Sequence, residues 1–360
     1  MTEPTSTGRF TGIEASRGVA ATVVVLYHAA RHLNKVYGVP VLMSVFQFGH
    51  AGVDLFFAIS GFIILFVHYD DIGRPVRLGR YLGRRLSRIM PVYWVALALT
   101  IVLRLGGGHG FPPLFDVAWS AALLPSHDEP LLGIAWTLQY EIVFYAIFCL
   151  LIINKTLGIS VLILWLFWIV MAKFGMGFGG ELPQSLYGMY NLEFFLGMAV
   201  AYWLKNYTVL IPRLILAAGI SLFVAAAMAE DTQLMDGYAD VSRLVYGSAA
   251  ALIVLGAAEA GRQSAITVPR VLQTLGTASY SVYLFQFVFI GLLWKLWLAT
   301  GLDGQMPHTA SFSLLAVAGV AGGIAMSRLV EYPLMRLVRR SRHTAPAVAD
   351  SGAATARRNA

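Results

Sequence analysis

Apolar stretches long enough to cross a lipid bilayer recur along this sequence, and they constrain the fold more than any other feature. A helix rises about 1.5 Å per residue, so about 18 to 20 apolar residues cross the hydrocarbon layer. The 360 residues are 58% hydrophobic and only 12% charged, whereas about a quarter of the residues in an ordinary soluble domain are charged. The sequence therefore predicts an all-α, polytopic integral membrane protein.

Ten segments have the length and composition of transmembrane helices. They cover residues 13–33, 44–67, 88–105, 132–153, 157–174, 188–204, 210–229, 242–259, 279–299 and 310–331. The apolar segment 114–124 is too short to span, and we expect it at the membrane interface. Residues 1–12 and 336–360 are polar, basic or rich in Ala and Ser, so we predict disordered ends around a transmembrane domain of residues 13–335.

The positions of the basic residues predict how the spans are oriented. The net charge of +7 comes from Arg and Lys residues concentrated in particular loops, which indicates membrane topology rather than a nucleic-acid partner. With the N-terminus in the cytoplasm, the arginine-rich loop at 74–88 and the basic residues after 335 are cytoplasmic. Only Arg31 and Lys35 clearly stand on the opposite side. We therefore predict that both termini are cytoplasmic and that the protein resides in the inner (plasma) membrane.

Two ionisable residues lie within the first span, where such groups are costly and usually functional. Arg17 and His28 are eleven positions apart, and eleven steps of about 100° return to nearly the same helix face with a rise of about 16 Å. The guanidinium can hold a phosphate near the cytoplasmic face, and the imidazole, three turns deeper, can take a proton from a hydroxyl. A snorkelling arginine and a packing histidine fit the spacing equally well, so spacing alone leaves both interpretations open.

Several runs of residues resemble, in the same order, the motifs of the acyltransferase-3 family of membrane acyltransferases. They are IEASRGVAA at 13–21 with LYHA at 26–29, GVDLFFAISGFI at 52–63, RRLSRIMPVYW at 84–94, WTLQYEIVFY at 136–145, and GTASYSVYL at 276–284 with VEYPL at 330–334. Each motif is modest alone, but five in order, over residues 13 to 335, are specific. The sequence is most similar in character to bacterial exopolysaccharide (succinoglycan-type) O-acetyltransferases.

The resemblance implies a membrane O-acyltransferase with acetyl-CoA, or a similar acyl-CoA, as donor substrate and no bound cofactor. It implies a sugar hydroxyl of a polysaccharide, or of a lipid-linked oligosaccharide precursor, as acceptor. It also implies Arg17 and His28 as the functional pair, and Arg85 with Arg88 as the acyl-CoA-binding element. The last two lie on one helix face and can grip the anionic CoA head. Basic anchoring at the cytoplasmic boundary is the alternative for them, and we weigh the two evenly.

Two acids within spans are further catalytic candidates. Asp54 is a candidate to orient His28, as a carboxylate does in a Ser-His-Asp arrangement, and the alternative is a structural pair with His50. Glu141 is a second base or an acceptor for a sugar hydroxyl, and the alternative is a structural acid that is neutral or paired with a tyrosine. Many family members carry a histidine where this sequence has Gln286, so this chain uses that position for hydrogen bonding only or does without it.

The remaining expectations concern partners and an alternative function. Membrane lipid and polysaccharide-assembly proteins are expected partners, and nucleic acid is not. The single Cys149 leaves no disulfide framework and no Cys-rich metal site, so we predict no metal. A transporter or flippase of a lipid-linked saccharide is the alternative function. It fits ten spans and buried charges, but it leaves the family motifs unexplained, and the sequence has no clear two-half repeat.

Overall fold

The computed structural model describes residues 10–174, 181–302 and 304–344. The helices, in chain order, are α1 (Thr11–Tyr37), α2 (Pro40–Phe46), α3 (Gly52–His68), α4 (Leu78–Gly106), α5 (Leu114–Ala121), α6 (Trp136–Ile153), α7 (Lys155–Phe174), α8 (Gln184–Tyr187), α9 (Tyr190–Asn206), α10 (Pro212–Asp231), α11 (Asp240–Arg262), α12 (Arg270–Thr300), α13 (His308–Met326) and α14 (Tyr332–Thr344). No strand occurs in these residues, so the predicted all-α class is confirmed.

Eight helical segments of the described chain are long and apolar enough to cross a membrane. They run over Pro40–Asp71, Pro75–Gly106, Gly133–Ile153, Lys155–Lys173, Pro212–Asp231, Asp240–Arg262, Arg270–Thr300 and His308–Val338. The other two predicted spans are also helical but fall outside this group. The charged Glu14 and Arg17 lower the mean hydropathy of α1, and α9 has only 17 residues. The number ten and the cytoplasmic location of both termini therefore stay predictions.

The structure differs from the sequence prediction near both ends of the transmembrane domain. Helix α1 begins at Thr11, and α14 continues to Thr344, so residues 336–344, which we expected in a disordered tail, are helical. Leu334 and Met335 of α14 pack against the hydrophobic core, which explains why this basic segment forms a helix beside the bundle. The rest of both predicted disordered ends, 1–9 and 345–360, lies outside the described residues. The short interfacial segment contains the eight-residue helix α5.

Helix α1 carries both Arg17 and His28 and packs against α3, α11, α12 and α13. Its backbone approaches α12 closely at Gly18 and Gly276, where a Cβ atom on either glycine would overlap backbone atoms of the opposite helix. Small residues permit such close packing between membrane helices. The contact fixes α1 against α12, and it thereby sets the position of His28 relative to the middle of α12.

Helices α3 and α9 are joined in the same way. Gly61 of α3 and Gly197 of α9 each lie against the backbone of the other helix, with no room for a side chain. The tight interface buries two acids completely, Asp54 from α3 and Glu193 from α9. The Asp54 carboxylate needs a polar partner within the bundle, because a buried charge without a partner is strongly unfavourable.

Hydrogen bonds from two tyrosines hold α4 in place. The Tyr280 hydroxyl of α12 donates to the backbone carbonyl of Ile89 in α4 at 2.9 Å. The Tyr93 hydroxyl of α4 donates to the carbonyl of Ser120 in α5 at 2.6 Å. These bonds anchor the part of α4 that follows the arginine-rich loop, and they set the position of its arginines relative to α12.

Candidate active site

Two adjoining cavities contain five of the six site residues that the sequence predicts. The smaller has a volume of about 80 Å³, and we name it the arginine cavity for its lining residues Arg17, Arg85 and Arg88. Glu141 also lines it. The larger has a volume of about 860 Å³, and we name it the histidine pocket because His28 lies in its wall. The arginine cavity is therefore the cationic end of the site, and the histidine pocket is the end that contains a proton acceptor.

The two cavities meet at Val53 of α3 and Tyr283 of α12, whose side chains line both of them. The Tyr283 hydroxyl is hydrogen-bonded to Thr137 Oγ1 of α6 at 2.9 Å, and Thr137 lines the arginine cavity. A group bound beside these shared side chains in the arginine cavity therefore lies next to the histidine pocket.

The arginine cavity has an excess of positive charge. Arg85 is only 6% exposed and its Nε has no hydrogen-bond partner, whereas Arg88, three positions later in α4, is exposed. Arg17 is within electrostatic range of Arg88, Glu141 and Glu331. Within the described parts of the chain, none of the three arginines forms an ion pair with a carboxylate. Unpaired guanidinium groups that line one cavity are suited to an anion such as a phosphate.

Glu141 is the acid of the arginine cavity, and it already has hydroxyl partners. Its Oε1 accepts hydrogen bonds from the Tyr145 hydroxyl at 2.5 Å and from Ser60 Oγ at 3.2 Å. Glu141 does not line the histidine pocket. This placement favours the tyrosine-paired structural acid over a second base for a sugar hydroxyl, and a catalytic role for Glu141 stays a prediction.

Gln286 of α12 fixes the orientation of His28. Its fully buried amide donates from Nε2 to the backbone carbonyl of Tyr283 at 2.9 Å, and a carbonyl can only accept, so the opposite end of the amide is the oxygen. That Oε1 lies 3.0 Å from His28 Nδ1 and accepts its hydrogen bond. A neutral imidazole with its proton on Nδ1 has an unprotonated Nε2. Among the hydrogen bonds of the described residues, none involves this Nε2, which is therefore available to a substrate.

The geometry gives the orienting role to Gln286 rather than to Asp54. Asp54 is completely buried, lines neither cavity, and forms an ion pair between its Oδ2 and Arg243 Nη1 of α11 at 2.5 Å. The carboxylate therefore serves a buried guanidinium, and the expectation that it positions the His28 imidazole is corrected. The physical reason is that a carboxylate binds the full positive charge of a guanidinium more strongly than it binds a neutral imidazole.

Comparison with known proteins identifies the family. The family model described as an acyltransferase domain matches residues 10–328. The chain belongs to the acyltransferase-3 family. It is 31% identical over 320 residues to the exopolysaccharide production protein ExoZ of Rhizobium meliloti (strain 1021), across 83% of this chain and 94% of that protein. No solved structure matches the chain. The resemblance seen in the motifs is confirmed, and this acyltransferase-3 protein is a multi-pass membrane protein.

Two charged residues of the bundle were missed by the sequence interpretation. Glu230 of α10 accepts hydrogen bonds from His50 Nε2 at 2.9 Å and from the Tyr246 hydroxyl at 2.7 Å, so the alternative pair of His50 with Asp54 does not form. Arg243 of α11 is the other. Glu230 and Arg243 both lie at the ends of predicted spans. A charged residue at such a position was the one sign in the sequence that it could be buried in the bundle. In the described part of this acyltransferase-3 protein, no group of three or more His, Cys, Asp and Glu side chains is arranged to hold a metal ion.

Replacing Asp54 by alanine is expected to destabilise this acyltransferase-3 fold, because it leaves Arg243, which is 4% exposed, without its carboxylate. Removing one member of a buried ion pair costs about 3–5 kcal/mol. The thermal midpoint of the detergent-solubilised variant should fall clearly below that of the wild type. The double variant Asp54→Leu with Arg243→Met should recover most of the loss, since apolar replacement of both partners is often neutral. An unchanged midpoint in the single variant would contradict the structural role.

Proposed function

We propose that this acyltransferase-3 protein is an O-acyltransferase that moves an acetyl or similar small acyl group from acyl-CoA to a sugar hydroxyl. The acceptor is an extracellular or cell-surface polysaccharide or its lipid-linked precursor. One observation carries the proposal: a cavity lined by unpaired arginines adjoins a pocket in which His28 presents an unprotonated Nε2. The 31% identical relative is named for exopolysaccharide production, which supports a polysaccharide acceptor.

In this proposal the arginine cavity holds the donor. The phosphates of acyl-CoA contact the guanidinium groups, and the nucleotide stays outside beside the exposed Arg88. The apolar side chains of Phe56 and Ile59 line the path of the thin pantetheine arm. The rise of about 16 Å from Arg17 to His28 is of the same order as that arm when extended, so the thioester reaches the shared wall of the two cavities.

The orientation follows from the charge pattern of the loops. Because positively charged segments favour the cytoplasmic side, the arginine-rich segment 74–88, which runs into the first turns of α4, supports a cytoplasmic position for the arginine cavity, on the side where acyl-CoA is present. The histidine pocket then opens toward the outer face. An acceptor delivered there by polysaccharide-assembly proteins can approach without crossing the donor's path.

The chemical step is direct transfer, without an acyl-histidine. The Nε2 of His28 takes the proton of the acceptor hydroxyl as the hydroxyl oxygen attacks the thioester carbonyl. The Tyr283 hydroxyl at the shared wall, which turns from Thr137 Oγ1 to do so, is the donor that we assign to the resulting oxyanion. The intermediate then collapses, the carbon–sulfur bond breaks, and the imidazolium returns its proton to the departing CoA thiolate. The products are the O-acyl ester and free CoA, and the histidine is again neutral.

Gln286→Leu is expected to slow transfer while preserving donor binding. The leucine leaves His28 Nδ1–H without an acceptor in a buried site, at a cost of about 1–3 kcal/mol, and it no longer holds the imidazole in the productive tautomer. We expect kcat to fall about 10- to 100-fold with the KM for acyl-CoA nearly unchanged. Gln286→His, whose ring nitrogen can accept the same hydrogen bond, should retain more activity than leucine. An equal loss of kcat in both variants, or no loss of kcat in Gln286→Leu, would contradict the orienting role of Gln286.

Mass spectrometry of the surface polysaccharide, from cells with and without this protein, tests the proposed function. The proposal predicts that polysaccharide from cells lacking the protein is lighter by one acyl group per repeat unit, and that chain length and export are preserved. The same acylation in both strains would overturn it. Loss of exported polysaccharide, with lipid-linked sugar retained at the inner face and no acyl difference, would instead support the transporter.

A further inference from the structure

Arg31 and Lys35 of α1 stand against the charge pattern that orients the spans. The positive-inside rule leaves them at the outer end of the first helix, on the side that the rule predicts to be poorer in basic residues. They follow His28 at positions +3 and +7, so the three side chains share one helix face. All three line the histidine pocket. The two cations therefore lie on the same wall of the pocket as His28.

Neither cation has an acidic partner within residues 10–174, 181–302 and 304–344. Arg31 makes one long hydrogen bond, from Nη1 to the Tyr27 hydroxyl at 3.4 Å, and Lys35 makes none. The other cations of the same pocket differ in this respect. Lys173 forms an ion pair with Asp240 at 3.3 Å, and Arg243 forms one with Asp54. Arg31 and Lys35 are thus the described cations of the pocket that remain available to a ligand.

Another part of the pocket wall has a different character. Asp128 and Glu129 line it from the loop before α6, and Trp136 and Tyr140 add aromatic side chains. Neither acid forms an ion pair with a described basic residue. Carboxylates accept hydrogen bonds from hydroxyl groups, and aromatic rings provide flat apolar surfaces. This wall fits the neutral part of a sugar, while the α1 wall is the cationic part of the pocket.

We infer that the acceptor carries an anionic oxygen group, which Arg31 and Lys35 bind while His28 contacts the hydroxyl to be acylated. The inference rests on the proposed function and names the class of its acceptor. Along α1, Arg31 lies about 4.5 Å and Lys35 about 10.5 Å beyond His28, so the anionic group sits within one or two sugar units of the acylated hydroxyl. A carboxylate on an acidic sugar and the pyrophosphate of a lipid carrier both have this chemistry.

Binding to the full chain in lipid nanodiscs tests the inference without acyl-CoA. The probes are a fluorescent tetrasaccharide that contains glucuronic acid, the same tetrasaccharide after carboxyl reduction, a disaccharide on a short polyprenyl pyrophosphate, and the same disaccharide on an uncharged alkyl chain. The variants are Arg31→Gln with Lys35→Gln, and the charge-preserving Arg31→Lys with Lys35→Arg. Lys295→Gln is the matched control, an exposed lysine that lines neither cavity.

We expect the double glutamine variant to weaken binding of an anionic probe about tenfold or more and to leave its neutral counterpart unchanged. The charge-preserving variant and Lys295→Gln should bind like the wild type. An effect confined to the glucuronate probe identifies an acidic sugar, and one confined to the pyrophosphate probe identifies the lipid carrier. Equal binding of anionic and neutral probes by the wild type, or equal weakening of both in the variant, overturns the inference.

A transfer assay with the same probes and labelled acetyl-CoA separates this inference from the proposed function. If no probe is acylated and charge-dependent binding persists, the proposed function fails while the anion-binding site stands. If neutral and anionic probes are acylated with the same KM, the proposed function stands and the inference fails. When both hold, the glutamine variant raises the KM for the anionic acceptor and leaves the KM for acetyl-CoA unchanged.

Discussion

His28→Ala is expected to reduce acyl transfer by about 100- to 10,000-fold, the usual contribution of a positioned general base. The loss should appear in kcat, because the imidazole acts on the acceptor hydroxyl during the chemical step and does not line the arginine cavity. The KM for acyl-CoA should therefore change little. The measurement is transfer of labelled acetyl to polysaccharide precursor in membranes, at matched amounts of folded protein.

The matched control for this variant is His308→Ala. His308 is an exposed histidine at the start of α13 that contacts Tyr37 and lines neither cavity, so its removal should leave transfer at the wild-type rate. Because His28 is half-buried, His28→Gln serves as a second variant that keeps most of the volume and lacks a proton-accepting nitrogen. Wild-type rates in either His28 variant would exclude it as the base.

Arg85→Gln with Arg88→Gln is expected to raise the KM for acyl-CoA about 100-fold or more. Each charge-assisted hydrogen bond contributes about 1.5–3 kcal/mol. The loss of two such contacts to phosphate therefore weakens the binding of acyl-CoA. The KM for the acceptor should stay near its wild-type value, because neither arginine lines the histidine pocket. Initial rates over a range of acetyl-CoA concentrations measure the change.

Arg84→Gln separates this effect from membrane anchoring. Arg84 precedes Arg85 in α4, is exposed, and does not line the arginine cavity, yet it contributes equally to the positive charge of this part of the helix. If the arginines only anchor the helix, the single variants Arg84→Gln, Arg85→Gln and Arg88→Gln behave alike. Because Arg85 is buried and its replacement by glutamine can disturb folding, Arg85→Lys tests the same contact with the charge retained. A lysine lacks the fork geometry, so an intermediate KM is expected.

The sequence predicted well those features that are local in the chain. The apolar stretches predicted an all-α membrane protein, because the thickness of the bilayer sets the length of apolar helix that is needed to cross it. The spacing of Arg17 and His28 predicted a shared helix face, and both now line adjoining cavities through α1. Arg85 and Arg88 share a face of α4 for the same reason, since their interval of three is also a helical one.

The partners of buried groups could not be predicted, because they depend on which helices pack together. Asp54 was expected near His28 from its depth in the second span, but its carboxylate meets Arg243, 189 positions away, through the contact of α3 with α11. Gln286 meets His28 across 258 positions. The departure from the family pattern at Gln286 was visible in the sequence, and only the packing of α1 on α12 gives it a role.

Transfer across sealed membrane vesicles of known orientation tests the central claim most directly, that donor and acceptor reach one His28 from opposite faces. Inside-out vesicles expose the predicted cytoplasmic face, so labelled acetyl-CoA is added outside and the acceptor is enclosed. We expect acylated acceptor inside these vesicles, no product when donor and acceptor exchange sides, and no product with His28→Ala. Product formed only when both substrates are on the same face, or formed equally by the His28 variant, would contradict it.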